Sequence, residues 1–178
     1  MSESRLQVLY DKETIAANVR DLGRRLEADH SGLTPVLISI VGGSIVFLAD
    51  LLRAIEQPVR YEAVQVQYTA SAGNSEVVDI DFPISLDVTG QSLVVLKDVV
   101  ATAVIENYLM SQLLSRGARR VRFVALIDLP EERKSDFHVD YRLFTPRRPG
   151  IFVGYGLKSN GMFGNLPHLA RLTLDEND

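Results

Sequence analysis

The chain has 178 residues, which fits one domain with room for a substantial core. Its 46% apolar and 24% charged residues are ordinary for a globular protein. The net charge of −4 argues against nonspecific nucleic-acid binding, and the lack of cysteine excludes disulfides, thiolate metal sites and a cysteine nucleophile. The first residues lack the apolar core of a signal peptide, and no apolar stretch approaches the length of a membrane span. We therefore expect a cytoplasmic monomer or small oligomer.

Helical and strand patterns alternate along the first part of the chain. Apolar side chains recur at helical spacing over residues 12–29 and predict an amphipathic helix. A short apolar run at 36–40 predicts a buried strand, which a tight glycine turn at 41–44 connects to a second helix at 45–55. Apolar and polar residues alternate over 59–68, which predicts another strand.

The middle of the chain contains the pattern that bears most directly on function. A small-residue stretch at 69–75 indicates a mobile loop, and 77–80 is a candidate return strand. The uninterrupted apolar run 93–96 is typical of a parallel strand buried on both faces. A helix is predicted at 104–115, and Gly117 is placed to cap its C-terminus.

Further strands are predicted at 121–127, 139–144 and 151–155, so strands and helices alternate along the whole chain. This alternation favours the α/β class with a central parallel sheet, in one domain over 1–178 whose acidic tail at 175–178 is expected to be disordered. Ligands in such sheets bind beyond the C-terminal ends of the strands. The segments expected at that edge are 41–44, 97–103, 128–133 and 154–165.

Six segments, in their order and spacing, resemble the hypoxanthine-guanine phosphoribosyltransferases of the type I phosphoribosyltransferase fold. They are Val41–Leu52, Leu93–Ile105, Ser115–Ala118, Ala125–Asp128, Val153–Leu157 and Asn165–Pro167. The resemblance covers roughly residues 10–172. It implies a mainly parallel sheet flanked by helices, a small hood made by the N- and C-terminal segments, and a homodimer. It also implies a reaction that joins a purine base to phosphoribosyl pyrophosphate and expels pyrophosphate, normally with Mg²⁺.

The family's phosphate loop is an acidic pair, two apolar residues and then Asp-Thr-Gly-x-Thr. The acidic pair is Lys97-Asp98 in this chain, and the Asp at which the resemblance places the proton acceptor is Ala101, which cannot take a proton. Thr102 keeps its residue type. Ala103 replaces the glycine, where its methyl group can obstruct a phosphate, and Ile105 replaces the last hydroxyl donor.

Other positions also lack the residues that the family pattern uses to bind substrate or metal. Leu129 stands where the resemblance places the lysine that holds the purine's exocyclic oxygen, and Lys158 stands where it places a metal-binding aspartate. Gly164 replaces the arginine that meets pyrophosphate. Ile151 replaces the aromatic residue that stacks on the purine, although Phe152 is adjacent.

Two lysines carry the main functional hypothesis. Lys97 and Lys158 can replace part of the charge of Mg²⁺ and so form a metal-free anion site. The alternative is that both are solvated lysines at the rim of a disused pocket. Asp98 either holds a ribose hydroxyl or caps the following helix turn.

Three further residues also have two interpretations each. Gly42 and Gly43 serve either the strand-to-helix turn or a ligand. Tyr68 either closes over a ligand or packs at the end of its strand.

These observations lead to the expectation of a phosphoribosyltransferase-fold protein with lost or greatly weakened catalysis. No residue is assigned as catalytic or as a metal ligand. The cleft is expected to bind a purine nucleotide, a phosphorylated sugar or another anion in a regulatory or scaffolding role. A working hypoxanthine-guanine phosphoribosyltransferase that makes IMP or GMP with Mg²⁺, an RNA-binding regulator and a structural partner without any ligand remain as alternatives.

Overall fold

The computed structural model of the protein describes residues 5–30, 34–70, 76–83 and 86–173. The predicted acidic tail at 175–178 and most of the predicted mobile loop, 71–75, lie outside these residues. Among the described residues, no helix is both long enough and apolar enough to cross a membrane.

Strands and helices follow in the predicted alternation. The helices are α1 (Lys12–Asp29), α2 (Ser44–Ala54) and α3 (Val104–Ser115). The strands are β1 (Arg5–Tyr10), β2 (Val36–Ile40), β3 (Arg60–Ala70), β4 (Glu76–Asp81), β5 (Ser92–Val100), β6 (Arg120–Asp128), β7 (Tyr141–Phe144), β8 (Ile151–Val153) and β9 (Leu169–Thr173).

The main sheet has six strands in the order β4-β3-β2-β5-β6-β7. All neighbouring pairs are parallel except β3 and β4, which form an antiparallel edge. The chain leaves β2 for β3 on one side and later returns to β5 on the other, so the strand order reverses between β2 and β5. In open α/β sheets, the loops at the C-terminal ends of two such strands diverge, and ligands bind in the crevice between them.

Apolar side chains cover both faces of this sheet. Leu37 and Leu96 face the layer formed by α1 and α2, where Phe47 and Leu51 are fully buried. Leu93 and Val95 face the opposite layer, which contains α3. Burial on both faces explains why β2 and β5 show continuous apolar runs in the sequence, and the expected α/β class with a parallel sheet is confirmed.

The hood is a second, antiparallel sheet of three strands in the order β1-β9-β8. Neither β1 nor β9 was predicted as a strand, although a hood was expected from the resemblance. Leu6 and Val8 in β1 are both exposed, so their alternation with neighbouring residues does not mark a buried face.

The end of β5, which bears on the site, differs from the prediction. The segment 97–103 was predicted to be a loop, but β5 continues to Val100 and only Ala101–Ala103 connects it to α3. Lys97 and Asp98 are therefore strand residues whose neighbours in the sheet fix their positions. Polar residues near the carboxyl end of a strand gave the false signal of a loop.

The end of α3 agrees with the prediction. Gly117 has a φ of +90°, and its N–H donates to the carbonyl of Leu114 at 3.0 Å. Ala118 N–H reaches the carbonyl of Leu113 at 3.1 Å, which completes a Schellman motif and ends the helix before β6.

Helices α1 and α2 approach each other most closely at Gly23. A Cβ atom added to Gly23 would lie 2.7 Å from the carbonyl oxygen of Ala54, at the end of α2. Helix propensity alone would make Gly23→Ala stabilising by about 1 kcal/mol. We expect the clash to reverse this sign, so that urea denaturation shows a loss of roughly 1–3 kcal/mol in the free energy of unfolding.

The matched control for this prediction is Ala17→Gly, at an exposed position of the same helix. It should lose about 1 kcal/mol through propensity alone. A Gly23→Ala variant as stable as the parent, or more stable, would contradict the proposed close approach of the two helices.

Candidate functional site

A hydrogen bond joins the two sides of the crevice between β2 and β5. The N–H of Gly43, which precedes α2, donates to Oδ2 of Asp98 in β5 at 3.1 Å. A Cβ atom on Gly43 would lie 2.5 Å from this carboxylate oxygen and 2.8 Å from Cδ2 of Leu157. Gly43 is thus required for the close approach. Gly42 has a φ of +149° and no neighbour near an added Cβ, so its requirement is conformational.

Asp98 also interacts through its other oxygen, which lies 3.0 Å from Nζ of Lys97 and accepts the N–H of Val99 at 2.8 Å. The alternative that Asp98 caps the turn into α3 is wrong. The N-cap of α3 is Ala103, without a side-chain hydrogen bond, and the helix that Asp98 serves is α2. A ribose hydroxyl as a ligand of Asp98 stays a prediction.

The loop between β5 and α3 keeps a backbone shape that suits glycine. Ala103 has φ 60° and ψ 18°, in the left-handed region that costs a non-glycine residue about 1–2 kcal/mol. Its methyl group is buried in the apolar cluster that includes Val100 and Leu109. The loop geometry is therefore maintained at the cost of strain.

The segment that follows β8 carries Lys158 and lies against the turn before α2. A Cβ atom on Gly156 would lie 2.4 Å from the carbonyl oxygen of Gly43, so this segment packs directly on the turn before α2. Lys158 itself is exposed, and its Cγ would lie 2.9 Å from a Cβ added to Gly164, so its stem packs against that glycine. The structure thus brings Gly43, Asp98 and the segment of Lys158 into one region.

The segment is fixed by a buried phenol. Tyr155 has a φ of +50° and donates its hydroxyl proton to Asp50 in α2 at 2.7 Å. Burial raises the pKa of this phenol, and the hydrogen bond to the Asp50 carboxylate raises it further. Tyr155 therefore remains protonated and keeps the segment anchored to α2.

The remaining predicted residues are less directly at the crevice. Leu129 is 8% exposed and borders a cleft of about 270 Å³ together with Thr145. Phe152 is buried in the core, whereas its neighbour Ile151 is 43% exposed. Tyr68 pairs through its backbone with Val78 in β4, and its side chain lies outside the described part of the structure.

Two charged residues near the site were not singled out from the sequence. Glu106 is 4% exposed and lies on the buried face of α3 with Leu109 and Leu113. Arg133 donates to the carbonyls of Val100 and Ala101 in the loop. The helical spacing of Glu106 with two leucines was the available signal for its burial. No pattern around Arg133 indicated its contacts with the loop.

Burial dominates the electrostatics of Glu106 and raises the pKa of its carboxyl group above the ordinary value. The nearby charges of Lys97 and Arg133 lower this pKa in part, and that of Asp98 raises it. Positive and negative charges therefore partly compensate each other beneath the loop, where the ammonium of Lys97 lies near the carboxyl groups of Asp98 and Glu106.

The donor set does not fit a protein-bound divalent metal. Among the described residues, no group of three or more His, Asp or Glu side chains is arranged to hold an ion. The position at which the resemblance places a metal carboxylate is the cation Lys158, and both oxygens of Asp98 are already engaged. No step through Mg²⁺ is derived for this site.

Comparison with known proteins agrees with the geometry of the crevice. The model of the phosphoribosyl transferase domain family matches residues 7–160. The chain belongs to this family. It is 30% identical over 168 residues to the hypoxanthine-guanine phosphoribosyltransferase of Streptococcus pneumoniae strain R6. The match covers 93% of this chain and 92% of the Streptococcus enzyme. It is also 30% identical over 171 residues to the Bacillus subtilis enzyme, with the same shares of both chains.

Solved structures support the same fold. A hypoxanthine phosphoribosyltransferase from Staphylococcus aureus matches with a TM-score of 0.86 at 25% identity, over 94% of this chain and 91% of that one. The Trypanosoma cruzi enzyme in complex with its product IMP matches with a TM-score of 0.84 at 27% identity, over 97% and 95%. The expected type I phosphoribosyltransferase fold is confirmed.

The buried carboxyl group of Glu106 predicts a pH dependence of stability. The pKa of Glu106 is higher in the folded than in the unfolded chain. The contribution of the protonated carboxyl group to the free energy of unfolding is therefore complete below the unfolded pKa of about 4.3, and it is lost as pH rises through the folded pKa. Glu106→Gln cannot ionise. We therefore expect its unfolding free energy, relative to the parent, to increase as the pH of urea titrations rises from about 4 to about 8.

Glu131→Gln makes the same substitution at an exposed position and corrects for the change in net charge. A difference between Glu106→Gln and the parent that stays constant with pH, or that falls as pH rises, would show that the carboxyl group of Glu106 is not destabilised by burial.

Proposed function

We propose that this phosphoribosyltransferase-fold chain binds the phosphate of a purine nucleotide or of a phosphorylated sugar beside α3 and has lost, or greatly weakened, the base transfer. The proposal rests mainly on the identity of Ala101. It stands at the position of the proton acceptor, on a loop whose phosphate-binding backbone shape is kept at Ala103. A methyl group cannot accept a proton, whereas main-chain N–H groups bind anions whatever side chains they carry.

The loss of catalysis rests on several positions that fail together. Transfer requires a proton acceptor for the base and neutralisation of the leaving pyrophosphate. Ala101 removes the first of these. Lys158 in place of a metal carboxylate and Gly164 in place of an arginine remove most of the second. Preorganised electrostatic groups of this kind each contribute roughly 3–4 kcal/mol to lowering an activation barrier.

The retention of anion binding rests on groups that are still present. The helix α3 begins at the loop, and its first N–H groups attract negative charge. The exposed ammonium of Lys158 lies on the neighbouring segment and can meet a phosphate without a metal ion. A protein that holds such a ligand without turnover suits a regulatory or scaffolding role, which we place in a cytoplasmic homodimer.

A second candidate function is a working hypoxanthine-guanine phosphoribosyltransferase with altered site residues. The identity of 30% to enzymes of that name, over 93% of this chain, favours it. The retained Asp98 and Thr102 favour it too. Mg²⁺ would be required only in this case, since it neutralises the leaving pyrophosphate.

Thermal unfolding with pyrophosphate, phosphoribosyl pyrophosphate, GMP and IMP, each with and without Mg²⁺, tests the proposal. A ligand at about 100 times its Kd stabilises the folded state by about 2.7 kcal/mol, which raises Tm by several degrees. We expect such a rise without Mg²⁺, and a smaller rise in Lys97→Ala and Lys158→Ala. Lys12→Ala, an exposed lysine of α1, should behave as the parent does.

A Tm that no ligand changes would contradict anion binding. Equal shifts in the parent and both lysine variants would contradict the roles of Lys97 and Lys158. Release of pyrophosphate from phosphoribosyl pyrophosphate on addition of hypoxanthine or guanine, at a rate comparable with that of the Bacillus subtilis relative, would favour the second candidate instead.

A further inference from the structure

The connection between β6 and β7 lies against the loop Ala101–Ala103 and binds its carbonyl groups. The N–H of Leu129 donates to the carbonyl of Val100 at 2.9 Å. The N–H of Lys134 donates to the carbonyl of Thr102 at 3.1 Å. Between these two bonds, Nη1 of Arg133 donates to the carbonyls of Val100 at 2.9 Å and Ala101 at 2.6 Å. Three consecutive carbonyl groups are thus drawn toward the same connection.

This arrangement determines where the N–H groups of the loop point. In a trans peptide, the C=O of one residue and the N–H of the next point in opposite directions. Since the carbonyls of residues 100, 101 and 102 face the β6–β7 connection, the N–H groups of residues 101, 102 and 103 face away from it. None of these three N–H groups is a donor in a hydrogen bond between described residues.

Consecutive N–H groups directed to one side form a concave site for an anion. The left-handed conformation of Ala103 places the next N–H groups, those of the first turn of α3, at the end of the same row. The loop can therefore hold a phosphate with its main chain, even though Ala101, Ala103 and Ile105 provide no side-chain donor.

Arg133 is built into this arrangement. Its side chain is 12% exposed and forms an ion pair with Asp128, whose side chain is 2% exposed at the end of β6. In the planar guanidinium of Arg133, Nη2 donates to the carboxylate of Asp128, and Nη1 donates to the carbonyls of Val100 and Ala101. A lysine has a single ammonium nitrogen and cannot reproduce this arrangement of two donor atoms. Arg142 lies 3.5 Å from the same carboxylate but is 53% exposed.

We propose that Arg133 is the positioning residue of the phosphate-binding loop. By holding the carbonyls of Val100 and Ala101, it directs the N–H groups of Ala101 and Thr102 toward the anion. This inference rests on the proposed anion binding. It deepens that proposal by naming the side chain that preorganises the main-chain binding site.

A titration of ¹⁵N-labelled protein with inorganic pyrophosphate in EDTA, followed by amide NMR, tests the inference. In the parent, we expect the amide protons of Ala101, Thr102 and Ala103 to move downfield on saturation, as hydrogen-bonded N–H groups do. Arg133→Lys keeps a cation beside Asp128 but loses the second nitrogen with which the guanidinium holds the carbonyls of Val100 and Ala101. We expect it to raise the Kd for pyrophosphate about tenfold and to reduce these three shifts.

Arg142→Lys is the matched control because it alters a second cation at the same carboxylate without touching the loop. It should bind pyrophosphate as the parent does. A role of Arg133 in fold stability alone would lower Tm in Arg133→Lys but leave the Kd and the three amide shifts of the folded protein unchanged, and that result would overturn the inference.

The remaining outcomes are also decisive. If the parent binds pyrophosphate while its amides at 101–103 do not move, the main-chain site is wrong, although anion binding itself survives. This observation uses the parent alone and therefore holds even if Arg133→Lys fails to fold. If the parent binds no pyrophosphate at all, the proposed function fails and the positioning role fails with it.

Discussion

The hydrogen bond from the N–H of Gly43 to the carboxylate of Asp98 lies at the edge of the main sheet where open α/β sheets bind their ligands. It connects the turn after β2 to the carboxyl end of β5, where the order of strands in the sheet reverses. It forms because Gly43 has no side chain, and Gly156, which also has none, packs against the carbonyl of Gly43. The close packing of the turn before α2 against Asp98 and against the segment that carries Lys158 depends on these glycines.

In the proposed function, the main chain and the side chains around that contact have separate roles. The backbone of the loop Ala101–Ala103 keeps its left-handed turn, its carbonyl contacts and its place before α3. The side chains that would take a proton or hold a metal are absent from the positions given by the family pattern. Anion binding by N–H groups tolerates such replacements, whereas proton transfer does not. In the proposed function, this difference explains why anion binding persists while base transfer declines.

The sequence predicted most of the fold because its parallel strands are buried on both faces and its helices are amphipathic. The bounds of α1 and α3 agree with the helical spacing of their apolar residues. The strand β1 escaped prediction because Leu6 and Val8, the apolar residues that alternate along it, are exposed. At the site, residue identities such as Ala101 were legible from the sequence. The contacts of Arg133 were not, since they are made to main-chain carbonyls that leave no pattern of residue types.

In the proposed function, the protein holds a phosphorylated ligand without converting it. One ³¹P NMR experiment observes both parts of this claim, on protein mixed with phosphoribosyl pyrophosphate, hypoxanthine and Mg²⁺ over several hours. The account predicts that the ligand resonances broaden or shift in proportion to the protein added, and that no resonances of IMP or pyrophosphate grow above those of a protein-free sample. Growth of both product resonances in proportion to the protein concentration would contradict it.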